Sequence, residues 1–492
     1  PASEGVARAS GARHIELSGL TLLPGLIDAH AHVAGLGVSL ETVQLAGTTS
    51  YDEVLARIAE RTGSIPKGEW ITGRGWDQND WPVMDFPTAA ALDRAVPDHP
   101  VFVNRVDGHA ALANSAAMRA ARVTAQTPDP DGGRILRDAS GNPTGVFIDN
   151  AKSLIEAVIP PPSRETRKRR LALAANDIAA NGLTSVHDAG ADGFTIALVQ
   201  ELIDEGKWPI RTYLMLTDNG VLHELWFRSG PLINYKDRLT VRSVKLYADG
   251  ALGSRGAALL APYSDDPQNH GLLVSRPEHI LDVTRRAKAA GFQVNTHAIG
   301  DRGVRVAIDA YEKAGMTAAD RARIEHLQVI ALEDLPRLAK SGILSSMQPT
   351  HATSDMYWAE ARLGTERVRG AYAWRKVLNA GGRLVSGSDF PVEDVNPFFG
   401  IYAAVTRQDQ KAWPAGGWYP EERLTIAEAI RGFTSDAAFA AFQEADSGTI
   451  EPGKWADFTV VEQNPYEIPP ADLYRVRVRY TIVAGEIVYR SE

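Results

Sequence analysis

The sequence predicts an α/β fold: a (β/α)8 TIM-like barrel with a large insertion after its first strand and a small β-sandwich module. Three observations carry this. Short β-rich runs alternate with Ala-rich segments of helical period, the pattern of parallel strands joined by helices. Eight such runs can be counted, the number that closes a barrel of this type. The rhythm breaks after the first run and again after the eighth, and each break leaves room for further structure.

In chain order, the first run is Leu22 to His30, interrupted at Pro24-Gly25. The other seven are Leu183 to Asp188, Ile210 to Thr217, Val241 to Tyr247, Phe292 to His297, Arg323 to His326, Ile343 to Gln348 and Arg383 to Ser388. Helical stretches lie between them, among them Arg167 to Ala180, His279 to Ala290, Arg302 to Ala314 and Leu332 to Lys340. About 150 residues separate the first run from the second, far more than a crossover needs. They include Glu69 to Gly75, Pro100 to Asn104 and the turn-rich Pro128 to Thr144, and predict a subdomain over the barrel mouth spanning about residues 35–165. After the eighth run come a helix around Thr425 to Phe433 and β-like pieces at Phe458 to Val461 and Val478 to Tyr489, the latter turning at Ala484-Gly485. With Arg13 to Leu23 these form the β module, so residues 1–23 and 440–492 are assigned to it and 24–439 to the barrel.

Composition narrows the chemistry. The chain has 492 residues, 52 Lys and Arg against 61 Asp and Glu, a net charge of −9, twelve histidines and no cysteine. Disulfides, thiolate zinc sites, iron–sulfur clusters and a cysteine nucleophile are thereby excluded, and any metal must rest on His, Asp, Glu or something rarer. The mild acidity argues against binding to duplex nucleic acid; the one dense basic run, Arg167-Lys168-Arg169-Arg170, reads as a solvated helix face. No stretch of 18 or more apolar residues occurs, so no membrane span is expected. The chain opens at Pro1 without a basic and apolar leader, as a processed N-terminus would, and an absence of cysteine suits cytoplasm and periplasm alike. A soluble protein of either compartment is expected.

The sharpest local signal is Pro24-Gly25-Leu26-Ile27-Asp28-Ala29-His30-Ala31-His32. Side chains two apart on a strand share a face, so His30 and His32 can point to one metal while the alanines leave room; two ordinary histidines at a strand end are the plainer alternative. Three more candidates fall where barrel active sites are built, at the C-terminal ends of strands: His297, His326 and Asp389. Each alone could be a satisfied core or capping residue, but with the first pair they bring nitrogen and oxygen ligands from four strands. Lys245, in Ser243-Val244-Lys245-Leu246-Tyr247, either reaches solvent or is buried as a neutral amine. A neutral amine captures CO2 and becomes a carboxylate able to bridge two metals.

These stretches resemble the amidohydrolase superfamily, and within it the amidohydrolase family 3 group that includes N-substituted formamide deformylase-like proteins. The similarity is carried by the His30 motif, Gly73-Arg74-Gly75-Trp76-Asp77, Asp107-Gly108-His109 with Asn114-Ser115, and Lys245-Leu246-Tyr247-Ala248-Asp249-Gly250. It continues through His297-Ala298-Ile299-Gly300-Asp301, Glu325-His326, Gly387-Ser388-Asp389-Phe390-Pro391 and Gly453-Lys454-Trp455-Ala456-Asp457. The resemblance implies a binuclear centre in which His30, His32 and Asp389 hold the more buried ion, His297 and His326 the other, and carboxylated Lys245 bridges them. Zn2+ is the expected metal, one or two ions per chain, with other divalent ions as alternatives and CO2 as the lysine modification. The family usually has a longer segment before the first histidine pair than the 29 residues found here, so the β module is open to being incomplete at its N-terminal end.

The activity so implied is hydrolysis of a C–N bond other than a peptide bond (amide, N-formyl or cyclic amide) by metal-activated water, with Asp389 moving the proton. A mononuclear deaminase of a heterocycle and a non-catalytic regulatory protein on the same fold are the alternatives. Trp76, Asp77, Asp107, His109 and His351 are candidate substrate contacts, each open to a structural role instead. The expected partner is a small amide-type substrate, with a homo-oligomer left open.

Overall fold

The computed structural model describes residues 14–78, 81–83, 85–105, 110–130, 133–253 and 255–491. They fall into two compact units, one within Pro1–Gly35 and Leu171–Glu492, the other within Leu36–Arg170.

The first unit holds the expected barrel. Its eight strands are Leu26–Ala31, Leu183–Ala191, Arg211–Leu216, Leu239–Tyr247, Gln293–Ala298, Arg323–His326, Leu344–Met347 and Arg383–Ser386, each parallel to the next. Nearly every residue of the central strands is buried, as expected of a parallel sheet covered by helices. Several of those helices bury an apolar stripe. In Asp301–Lys313, Val304, Ala307, Ile308 and Tyr311 recur at three- and four-residue spacing and are all buried. The helix Ile426–Gly432 begins at a reciprocal cap between Thr425 and Glu428.

The first and eighth strands meet at a seam made differently from the other pairings. The Asp389 N–H donates to the His30 carbonyl at 2.8 Å and the His32 N–H to the Phe390 carbonyl at 2.9 Å. Below them the buried Asp28 carboxylate accepts the N–H and the hydroxyl of Ser388, the latter at 2.6 Å. Gly387 is required there: a Cβ would stand 2.5 Å from the His30 nitrogen and 2.6 Å from Asp28 Oδ1.

The β module is one antiparallel sheet among the described residues, ordered Thr21–Pro24, Phe458–Val461, Val478–Val483, Glu486–Arg490. The single run expected over Leu22 to His30 is therefore two strands in two sheets, because Gly25 interrupts the ladder and gives its N–H to the Asp457 carbonyl at 2.9 Å. Residues up to Arg13 lie outside the described residues. Asp457 also anchors the module to the barrel: its carboxylate takes Arg211 Nε at 2.6 Å and Nη2 at 3.0 Å, and the Arg211 guanidinium lies 3.8 Å over the Trp455 ring.

The second unit, the insertion, is built on a six-stranded sheet ordered Val43–Gln44, Ile71–Trp76, Val101–Arg105, Ala110–Ala113, Pro143–Asp149, Gly133–Arg137. Helix Tyr51–Thr62, capped by Ser50, sends Val54 and Ile58 into a core shared with Ile71, Val101 and Val103. Of the basic run, Arg169 and Arg170 engage the nearly buried Glu41 at 2.8 and 2.7 Å, so that helix face is partly paired rather than merely solvated. No helix among the described residues is long and apolar enough to cross a membrane.

Candidate metal centre

Four of the six expected ligands come from strands, and the other two lie within a few residues beyond one. His30 lies on the first strand, Lys245 on the fourth, His297 on the fifth and His326 closes the sixth. His32 follows the first strand and Asp389 the eighth. All six meet at the C-terminal end of the barrel. His30, His326 and Asp389 present ligand atoms within 4.8 Å of one another, all three residues being buried. The His297 and His326 ring centroids are 4.5 Å apart, and those of His30 and His326 4.7 Å. Lys245, 1% exposed, places Nζ 3.3 Å from His30 Nε2. His32 is the most open of the set, with its Nε2 3.3 Å from Asp389 Oδ1.

Burial sets the protonation of this cluster. Desolvation, with the nearby Lys245 charge, pushes the His297 imidazole down to about 3 and holds His30 far below its usual range. Desolvation and the neighbouring His297 do the same to His326. All three are therefore neutral and able to donate a lone pair. Burial works against charge on Asp389 too, but His32, His30 and His351 hold its carboxyl at about 2, so it stays ionised. The Lys245 amine is pushed down by desolvation against the pull of Glu325, Asp389 and Asp188.

Two buried residues aim the rings. Glu325 Oε2 accepts the His30 Nδ1–H at 2.5 Å with both side chains wholly buried, and Gln348 Oε1 accepts the His326 Nδ1–H at 2.8 Å. Each bond turns the Nε2 lone pair inward. Asp249 ties the loops after the fourth and fifth strands together by accepting the N–H groups of Ala258, Ile299 and Gly300 at 2.8–2.9 Å. Glu325 and Asp249 stand inside quoted sequence motifs, next to or near ligands, which is the signal that would have found them. Gln348 carries no such signal. Asp188, on the second strand, is a further carboxylate close to His32 and Lys245, its pKa raised to about 6 by burial.

The donor set suits a cation. His297 Nε2 and Asp389 Oδ1 are buried without a hydrogen-bond partner among the described residues, an arrangement that is costly unless a further group joins them. Neutral imidazoles and an ionised carboxylate are ligands that a divalent ion of the zinc type accepts.

The proposed substrate contacts are less gathered. His351, on helix Pro349–Asp355 after the seventh strand, receives Gln328 Nε2–H on Nδ1 at 3.3 Å and directs Nε2 at Asp389 Oδ2, 3.7 Å away. Trp76 is 0% exposed in the core of the insertion, where its indole N–H donates to the Val103 carbonyl at 2.9 Å. Asp77 pairs with Arg105. Asp107 and His109 lie outside the described residues.

The model of a family described as the amidohydrolase family matches residues 13–489. A Bacillus subtilis (strain 168) protein named as an amidohydrolase, YtcJ, is 35% identical over 484 residues, 97% of this chain and 90% of its own. The N-substituted formamide deformylase of Arthrobacter pascens is 28% identical over 504 residues, 98% of this chain and 91% of its own. The crystal structure of an uncharacterised metal-dependent hydrolase from Pyrococcus furiosus matches with a TM-score of 0.78 at 30% identity, covering 95% of this chain and 92% of that one.

Proposed function

Since the chain belongs to the amidohydrolase family, we propose that it is a metal-dependent hydrolase that cleaves the C–N bond of a small amide-type molecule, an N-formyl, N-acyl or cyclic amide. The observation that carries this is the convergence of His30, His326 and Asp389, with the unpartnered His297 Nε2 and Asp389 Oδ1, at the end of the barrel where such sites are built. The 28% identity to a formamide deformylase favours N-formyl compounds as the first substrates to try.

His30, His32 and Asp389 would hold one ion, His297 and His326 the second, with Lys245 between them. A divalent ion of the zinc type held there would supply a Lewis acid and lower the pKa of water. Lys245 would join as a carbamate: its neutral amine adds to CO2, forming an N–C bond and releasing one proton, and burial favours the neutral amine this needs. Asp389, ionised and 6% exposed, takes the proton of the attacking water on its carboxylate and delivers it to the leaving nitrogen. The His351 Nε2–H, facing Asp389, is placed to hold a polar atom of the substrate.

Lys245→Ala tests the binuclear form. Metal per chain by elemental analysis should fall, the mass increment of one CO2 in native mass spectrometry should vanish, and activity on an N-formyl, N-acyl and cyclic amide panel should drop to the chelated control. Full activity with unchanged metal content rejects the bridging lysine, and no hydrolysis by the metal-loaded wild type across the panel rejects the hydrolase reading itself.

A further inference from the structure

Tyr247 ends the fourth strand, two residues after Lys245 and therefore on the same face of it. Its ring centroid lies 5.6 Å from that of His297 and 5.2 Å from Lys245 Nζ, against the two side chains that flank the candidate centre on this side. Three fully buried tyrosines of this unit spend their hydroxyls on the protein, Tyr213 on Gln293, Tyr311 on Thr296 and Tyr263 on the Ala257 carbonyl, whereas Tyr247 is only half-buried. The Tyr247 hydroxyl has no hydrogen-bond partner among the described residues; the groups acting on it are its partial burial and the more distant charges of Asp389, Asp218 and Asp188. The space beside it is kept clear. Gly190, at the end of the second strand, is the residue facing it, and even a Cβ added there would stop 3.7 Å from the hydroxyl oxygen.

We propose that Tyr247 is a catalytic residue, its phenol donating a hydrogen bond to the substrate carbonyl oxygen as that oxygen gains negative charge. Attack on the amide carbon forms a C–O bond and moves the carbonyl π pair onto oxygen. The phenol O–H, protonated at neutral pH in a tyrosine, stabilises that charge without giving up its proton. The assignment rests on the hydrolase reading above. It requires a donor without a protein partner, carried on a barrel strand with its ring against the candidate ligands, and Tyr247 meets these conditions among the described residues.

The test is Tyr247→Phe, which keeps the ring against Lys245 and His297. Metal content and melting temperature should match wild type. The kcat on the best panel substrate should fall about 100- to 1,000-fold with KM little changed, the usual effect of removing one donor to a developing oxyanion. Calorimetry supplies a readout independent of turnover: affinity for the methylphosphonate analogue of that substrate should fall markedly, while affinity for the carboxylate product stays as in wild type. An active wild type with an equally active Tyr247→Phe variant, or equal analogue affinity in the two, overturns the role of Tyr247 alone. A metal-loaded wild type that neither hydrolyses the panel nor binds the analogue overturns the hydrolase reading, and the assignment with it.

Discussion

Replacing Glu325 by Leu should weaken metal binding without touching a ligand. The Glu325 carboxylate receives the His30 Nδ1–H at 2.5 Å, and both side chains are fully buried. In the Leu variant the ring loses the acceptor that fixes its Nδ1 side, and its Nδ1–H is left unpaired in the interior. A buried hydrogen bond to a charged group is worth about 1.5–3 kcal/mol, and loss of such a partner typically lowers metal affinity by roughly 10- to 100-fold, or about 1.4–2.7 kcal/mol. Glu325→Gln should fall at the small end of that range, because an amide oxygen can still accept while the negative charge is gone. Both variants should melt earlier than wild type, since Arg323, wholly buried two residues away and bonded to His187 and the Ala440 carbonyl, loses its nearby countercharge. The assay is competition for Zn2+ against a chromophoric chelator, with thermal denaturation of the metal-free protein alongside. If Glu325→Leu melts early but binds Zn2+ with the wild-type constant, the carboxylate only supports the fold and the orienting argument is wrong.

Two further perturbations follow from the same geometry. Asp457→Ala leaves Arg211 buried without its bidentate partner and should cost about 3–5 kcal/mol in urea unfolding, whereas a loss below about 1 kcal/mol would show that the pair behaves as if exposed. Gly387→Ala drives a methyl group into the His30 nitrogen and the Asp28 carboxylate, so metal per chain and melting temperature should fall together; retention of both would mean that the seam can part without cost.

Much of the barrel was legible because buried parallel strands are written as short β-branched runs, and their C-terminal ends locate His297, His326 and Asp389 before any coordinates are known. Boundaries shifted where the periodicity has no edge: the fourth strand starts at Leu239 rather than Val241, and Leu332–Asp334 forms a separate turn before helix Leu335–Ser341. The insertion was readable as an interruption but not as a sheet, since Ala110–Ala113 is four residues long, wholly apolar and without alternation. Within the site, candidate ligands are marked by residue type and position and the motifs around them carry Glu325 and Asp249, but which ring a supporting group pairs with is set only in three dimensions. Glu325 bonds a histidine 295 positions earlier in the chain, and nothing local to Gln348 points to His326, 22 positions before it. Trp76, in a motif with Asp77, was open to a substrate contact or to packing, and its 0% exposure and indole bond to Val103, which put it in the core of the insertion, are tertiary facts that a motif does not carry.

The seam between the first and eighth strands would give the barrel a zip, with the proposed cation as its slider. His30 and His32 stand on one lip and Asp389 on the other, so an ion held by all three would fasten chain segments that lie some 360 residues apart. A brief parting of the lips would separate the ligands and release the ion while the remaining strand pairings stay formed. Escape of the ion and solvent exchange of the His32 and Asp389 amide protons would then share one opening event, and the lifetime of the loaded protein would be governed by how often that seam breathes rather than by how often the whole barrel unfolds.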